Sequence, residues 1–419
     1  MAEQSSFKPP HITLNNWREP DHIKWALSHF SFMPTIDVAR AGSVSELRAE
    51  PRNDIETFQF EHQGETVSLL DALKGDSVDG YIVVKDGKVL NESYFGAFRA
   101  QDKHMWASAT KSIIGSIFGI LVSDYGVDLN KSPADYVPEL EESTFARSSL
   151  RQVLNMVTAL DFSEDYEQLA PGSVHFEYFR RLGLVPAWDL MQIDPQQDKT
   201  PRGARAFLPS FRANADVEHG TTYEYHSPNV DVIGWVIEVV SGVPLAEFIQ
   251  QNLWSKLQTE HDAFLSCDVE FNPIATGGFN STLRDAARFG LMALNEGRVG
   301  DTQVLDQSWL ADTFALTDQD RSAWNKSTFA DETDAAYMPD FEGYRSFWWV
   351  CDAKRGERAA IGIYGQMIYV NKAANTVIAS FSSPNSTSNA RRPSFKRVVR
   401  ANRALSAALC DQNQSGGNQ

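Results

Sequence analysis

The chain has 419 residues, 42% hydrophobic and 11% aromatic, enough for a large core in two domains or subdomains and too apolar for disorder. Its formal charge of −17 argues against nucleic-acid and anionic-membrane partners, whose recognition needs basic patches. The three cysteines, Cys267, Cys351 and Cys410, are scattered and odd in number, with no CxxC pair, and no HExxH spacing points to a zinc hydrolase.

Residues 1–75 read as irregular, closing with a helix-like LLDALKG. DGYIVVKDGKVLNESYFG then reads as a β-hairpin turning at Asp86-Gly87, a dipeptide that tolerates the positive φ of a tight turn. From 108 to about 260 the pattern is mainly helical, with ends at Gly126 and Gly242. A Pro- and Gly-containing stretch over 161–222 has no clean period, which suits binding loops. STLRDAARFGLMALNEG predicts an amphipathic helix begun by Ser281. SFWWVCD, AAIGIY, QMIYVN and TVIASFSS predict successive antiparallel strands, with Ala373-Ala374-Asn375 in a hairpin connection. A last helix starts at Pro393, and QNQSGGNQ reads as a disordered tail. The first hairpin is expected to join the late sheet, which makes the helical middle an insertion.

The tetrad Ser108-Ala109-Thr110-Lys111 opens an apolar helical run in which Ile113, Ile114, Ile117, Ile120 and Leu121 recur at helical spacing. Positions i and i+3 share a helix face, so the Lys111 amine can reach and activate the Ser108 hydroxyl. A helix N-terminus also offers free N–H groups to an oxyanion. The same pattern occurs at Ser5–Lys8 in a polar tail, so context must separate the two. Tyr225, in YEYHSPN before a helix, supplies a candidate general base and acid: a neighbouring ammonium favours its phenolate. AAIGIYGQMIYV is a strand interrupted by Gly362 and Gly365, where the Ile363 N–H would serve as second oxyanion donor beside that of Ser108. Such donors contribute about 3 kcal/mol each to the transition state. No G-x-S-x-G elbow is present, which argues against an α/β-hydrolase.

The order SxxK, then Y-x-S/N before a helix, then a Gly-interrupted late strand resembles the penicillin-recognising serine hydrolases, which include class C β-lactamases, DD-peptidases and related esterases. VDLNKSPADYVPEL and TGGFNSTLRDAARFGLMAL resemble that family's connecting segments, and TLNNWREPDHIKWALSHF, LDFSEDY and IGIYGQMIYV resemble its nylon-oligomer branch. The resemblance implies an α+β, β-lactamase/transpeptidase-like fold. Its sheet domain would be built from 1–107 and 265–419, its mainly helical domain from 108–264, and the active site would lie in the cleft between them.

Carried over residue by residue, Ser108 is the acylated nucleophile, Lys111 its partner and Tyr225 the base and then acid. Tyr166 would assist a leaving nitrogen, and Glu177, Thr276 and Ser227 would contact substrate. The K-T-G triplet of true β-lactamases is absent: Ala360-Ile361-Gly362 stands in its register, with Gly365 as the alternative. The expected protein is therefore a cytoplasmic hydrolase, without metal or cofactor, of linear amides of the 6-aminohexanoate-oligomer type. A carboxylesterase and a penicillin-recognition module that acylates without turnover are the alternatives. Its partner would be a small amide or ester, with neither nucleic acid nor membrane, and a homodimer is compatible with the sequence.

Overall fold

The computed structural model describes residues 12–13, 16–166, 169–185 and 203–415. The Ser5–Lys8 repeat of the motif lies outside these residues, as do parts of the 161–222 stretch. An eight-stranded sheet runs in the order Gly343–Arg345, Trp348–Asp352, Glu357–Gly362, Gln366–Asn371, Thr376–Ser382, Val78–Lys85, Lys88–Tyr94, Arg48–Ala49. The early hairpin joins the late strands through an antiparallel ladder that pairs Ile378 with Val83 and Ser380 with Tyr81. Asp86 and Gly87 turn that hairpin with φ of 50° and 74°, as a two-residue connection of right-handed strands requires.

Helices cover the sheet on both faces, which is why its central strands read as unbroken apolar runs and not as alternation. Ile368 faces Gly290 of the Leu283–Leu294 helix. Its neighbour Tyr369 points the other way, to Ser406 of the Pro393–Ser415 helix, with oxygens 3.0 Å apart. The amphipathic helix is capped by Thr282, whose side chain accepts from the Asp285 N–H, while Ser281 ends the strand before it. The expected cap at Ser281 is thus displaced by one residue. The closing helix continues to Ser415, into the stretch expected to be a disordered tail.

Between these strands in sequence come the Thr110–Asp124, Pro228–Ser241 and Leu245–Asn252 helices. Among the described residues no single helix is long and apolar enough to cross a membrane. The Thr110–Asp124 helix is buried on every side over residues 110–121, more completely than its apolar spacing predicts. Small residues make this possible. A Cβ on Gly115 would lie 2.0 Å from the Ser346 carbonyl oxygen, so the helix and the Ser346–Phe347 turn touch backbone to backbone.

A second, four-stranded sheet was not foreseen. It runs Thr35–Val38, Ala263–Ser266, Phe279–Ser281, His104–Met105. Its last strand leads into Trp106, whose N–H donates to the Phe279 carbonyl at 2.8 Å and whose indole donates to Ser281 at 2.9 Å. The segment before the Thr110–Asp124 helix is therefore fixed on both its backbone and its side chain.

Candidate active site

Ser108 lies in a single 3₁₀ turn, Ala107–Ala109, that feeds the Thr110–Asp124 helix. Ala107 holds φ at 46°, an unfavourable left-handed conformation for a residue with a side chain. The glycine-broken late run is a hairpin: Glu357–Gly362 turns through Ile363–Gly365 into Gln366–Asn371. Gly362 is pressed against the serine turn. A Cβ there would sit 2.1 Å from the Trp106 carbonyl oxygen and 2.9 Å from the Ser108 nitrogen, so only glycine fits. Gly365 instead faces Asp76 and Arg392, which makes Gly362 the glycine of the site.

Lys111 is 1% exposed and its amine reaches three oxygens: Ser108 Oγ at 2.9 Å, Thr276 Oγ1 at 2.7 Å and the Thr276 carbonyl at 2.7 Å. Burial lowers the amine to about 8, with Glu164 and Asp231 pulling weakly the other way. A neutral Lys111 can donate two N–H bonds to Thr276 and receive the Ser108 proton on its lone pair. Tyr225 stacks on Trp349 with ring centroids 5.7 Å apart, and the Lys111 amine lies 5.2 Å from its ring centre. Burial first and Glu164 second push its phenol well above the usual tyrosine value, with the Ser108 hydroxyl acting in the opposite direction. Tyr225 is therefore a neutral phenol and not the phenolate expected from an adjacent ammonium.

Ser108 opens onto a cavity of about 670 Å³ whose walls include Phe162, Tyr166, Tyr225, Trp349, Gly362 and Ile363. The Tyr166 hydroxyl donates to Glu164 at 2.6 Å, and burial keeps that phenol neutral as well.

The serine turn backed by a buried lysine, with a phenol over it and a glycine strand end at its side, sits within residues 75–401, which the sequence profile described as Beta-lactamase matches. The chain belongs to the Beta-lactamase family. It is 28% identical over 372 residues to 6-aminohexanoate-dimer hydrolase of Paenarthrobacter ureafaciens, covering 88% of both chains. A Bacillus anthracis structure assigned as a 6-aminohexanoate-dimer hydrolase superposes with a TM-score of 0.80 at 23% identity, covering 96% of this chain and 98% of that one. EstCE1, a hydrolase with promiscuous acyltransferase activity, superposes at 0.55 and 15% identity, covering 79% and 97%. The chain is accordingly a hydrolase of the β-lactamase/transpeptidase-like fold.

Within this Beta-lactamase frame the structure brings Ser108, Lys111, Tyr225, Tyr166 and Ile363 together around one cavity. Three expected substrate contacts are placed elsewhere. Glu177 pairs with Arg180 one turn along its own Val174–Arg181 helix, at 2.7 Å, and that helix presents Val174 and His175 to the cavity instead. Thr276 lies beneath Lys111 with its carbonyl and hydroxyl both engaged. Ser227 is 2% exposed and gives its N–H and its hydroxyl to Glu164, both at 2.6 Å. The Thr276 and Ser227 groups are satisfied inside the protein, and the Glu177 carboxylate is held by Arg180 through Oε2.

Glu164 and Asp231 escaped the sequence reading. Glu164 stands two residues before Tyr166 and accepts from Tyr166 and from both donors of Ser227. An acid inside LDFSEDY, beside a tyrosine already singled out, was the available signal. Asp231 is an acid in the otherwise apolar run VDVIGWVI, and a charge in such a run asks for a partner.

Proposed function

We propose that the chain hydrolyses linear amide bonds, of the ω-amino-acid oligomer type, through an acyl-enzyme on Ser108. The observation that carries this reading is the buried Lys111 amine, tied twice to Thr276 and once to the serine that opens onto the cavity. Neutral Lys111 takes the Ser108 proton as Oγ attacks the carbonyl carbon, and the oxyanion is met by the backbone N–H groups of Ser108 and Ile363. The proton passes from Lys111 through the Tyr225 phenol to the departing nitrogen. A phenol held neutral suits this donor role. Water then enters, gives its proton back along the same pair, and releases the acid and free Ser108.

Amide cleavage needs the nitrogen protonated before it leaves, and Tyr166 is the second phenol on the cavity wall. The name of the 28% identical relative, a 6-aminohexanoate-dimer hydrolase, supports the same substrate class. One observation favours a carboxylesterase as second reading: the Tyr166 hydroxyl is bonded to Glu164, and an alkoxide departs without its help. On a 6-aminohexanoate dimer and 4-nitrophenyl acetate, Ser108→Ala removes turnover of both. Tyr166→Phe lowers amide turnover about tenfold and leaves the ester within twofold; equal turnover of both by Tyr166→Phe takes Tyr166 out of the mechanism and leaves the esterase reading.

A further inference from the structure

We propose that Glu164 is a positioning residue that fits the site to amides: it takes the Tyr166 proton and leaves the phenol oxygen as an acceptor for the N–H of the scissile bond. The inference rests on the reading of the chain as an amide hydrolase acting through Ser108. It starts from three hydrogen bonds that converge on one carboxylate. Glu164 Oε1 accepts the Tyr166 hydroxyl and the Ser227 hydroxyl, each at 2.6 Å, and Oε2 accepts the Ser227 N–H, also at 2.6 Å. Ser227 stands two residues after Tyr225 and caps the Pro228–Ser241 helix, whose N-terminal end favours an anion. One side chain thus ties the loop that carries Tyr166 to the loop that carries Tyr225. Glu164, Tyr166 and Tyr225 all line the cavity onto which Ser108 opens.

The direction of these bonds follows from the chemistry of the acceptor. A carboxylate only accepts, so the single proton of Tyr166 is spent on Glu164. Among the described residues no donor is bonded to the Tyr166 oxygen, and its lone pairs are what it can offer a ligand. Burial first and Glu164 second hold that phenol neutral, so it keeps its proton. Edge-on packing against His175 and Phe179, with ring centroids 5.2 and 5.8 Å away, holds the ring in place.

An acceptor at this point distinguishes an amide from an ester. When Ser108 Oγ attacks an amide, the nitrogen becomes pyramidal and its lone pair has to face the Tyr225 proton. The N–H it already carries then points away from Tyr225 and needs a partner of its own, which the Tyr166 oxygen supplies. The C–N bond breaks as the Tyr225 proton reaches the nitrogen, and the amine leaves with both hydrogens; Tyr166 neither gains nor loses one. An ester oxygen has no hydrogen to give and presents only lone pairs to the same acceptor, so it gains nothing there.

Turning the Tyr166 proton around is the test. The measurement is the ratio of kcat/KM for a 6-aminohexanoate dimer to kcat/KM for 4-nitrophenyl acetate, with thermal unfolding followed in parallel. The ratio cancels what the Glu164 charge does to Lys111 and Tyr225, because both substrates share those groups. In Glu164→Gln the backbone N–H of Ser227 claims the amide oxygen, so the NH₂ replaces the oxygen that faced Tyr166. The phenol then accepts from that NH₂ and turns its proton into the cavity, donor against the substrate N–H. The ratio is expected to fall about 50-fold in Glu164→Gln and about tenfold in Tyr166→Phe, which removes the acceptor without reversing it. The double variant Glu164→Gln/Tyr166→Phe has no misdirected proton and is expected to match Tyr166→Phe.

Additive losses in the double variant, or a ratio in Glu164→Gln no lower than in Tyr166→Phe, overturn the proposal. Where Glu164→Gln does not fold, the unmodified protein supplies the test through the N-methyl form of the dimer amide, which has no N–H to offer. Its kcat/KM is expected to be lower than that of the parent amide by about fivefold or more, and a smaller loss overturns the acceptor role of Tyr166. An unmodified protein that cleaves the ester and no linear amide would instead sink the parent reading, before any variant is made.

Discussion

Among the described residues Lys111, at 1% exposure, and Arg358, at 2%, are deeply buried cations, and each donates to three oxygens. For Arg358 all three acceptors belong to the scaffold: the carbonyls of Ala293 and Leu310 and the Thr313 hydroxyl. These lie at the C-terminal ends of the Leu283–Leu294 and Gln307–Asp312 helices, where unpaired carbonyls and the dipole favour a cation. Phe314 and Trp348 lie 4.8 and 4.6 Å from the guanidinium carbon. Burial lowers Arg358 to about 9, so it stays protonated at neutral pH. Lys111 differs in one acceptor. Two of its oxygens are scaffold, and the third is a hydroxyl that opens onto a cavity. Under the proposed mechanism equal burial serves architecture in one case and chemistry in the other, and the third partner decides which.

Removing each charge separates the two roles. Lys111→Met is expected to lower kcat/KM by about 10³-fold, within the range for a lost general base. Its melting temperature should hold or rise, because a buried charge is gone. Arg358→Met takes a charged hydrogen bond from each of two helix-end carbonyls and from the Thr313 hydroxyl, and such a bond contributes about 1.5–3 kcal/mol. It should lower the melting temperature by several degrees while the folded fraction keeps kcat/KM within twofold. An Arg358 variant that melts normally but fails to turn over would break the comparison.

The pH dependence sharpens it. Lys111 acts as a base only when neutral, so kcat/KM should climb about tenfold per pH unit below 8 and level off above it. Stability follows the same group: its folded value is lowered from 10.5 to about 8, so between those values the unfolded chain holds the proton more tightly. Lys111 therefore makes the protein more stable as pH rises from about 8 to 10.5, a trend that denaturant unfolding can follow and that Lys111→Met should remove. A rate profile flat from pH 6 to 9 would mean that Lys111 is not the titrating base.

What was legible in the sequence follows the range over which each contact acts. Ser108 and Lys111 are three residues apart on one helix, and Asp86-Gly87 carries its turn in two residues, so local spacing revealed both. The late strands were readable because burial on both faces leaves unbroken apolar runs. The partners of Lys111 were not. Thr276 is 165 residues away, and Asp231 reaches Thr276 across 45. No spacing rule covers such distances, so Thr276 was read as a substrate contact when it is the seat of the lysine. The neutral state of Tyr225 was hidden for a related reason: a nearby amine suggests a phenolate, but burial outweighs it, and burial is a property of the whole fold.

Glu177 is the instructive miss, because its partner was in plain view. Arg180 and Arg181 stand three and four residues on, the spacing at which helical side chains meet, and the carboxylate is 2.7 Å from Arg180. Pairs of this kind contribute about 0.3–0.5 kcal/mol. Glu177→Gln should accordingly leave the melting temperature within about a degree and turnover of both amide and ester within twofold, the smallest effect of the set. The informative failure would be a KM that rises only for an amide bearing a free amine, with the ester unchanged. That result would require Glu177 to leave Arg180 and turn toward the cavity when a cationic substrate is bound, exchanging one positive partner for another.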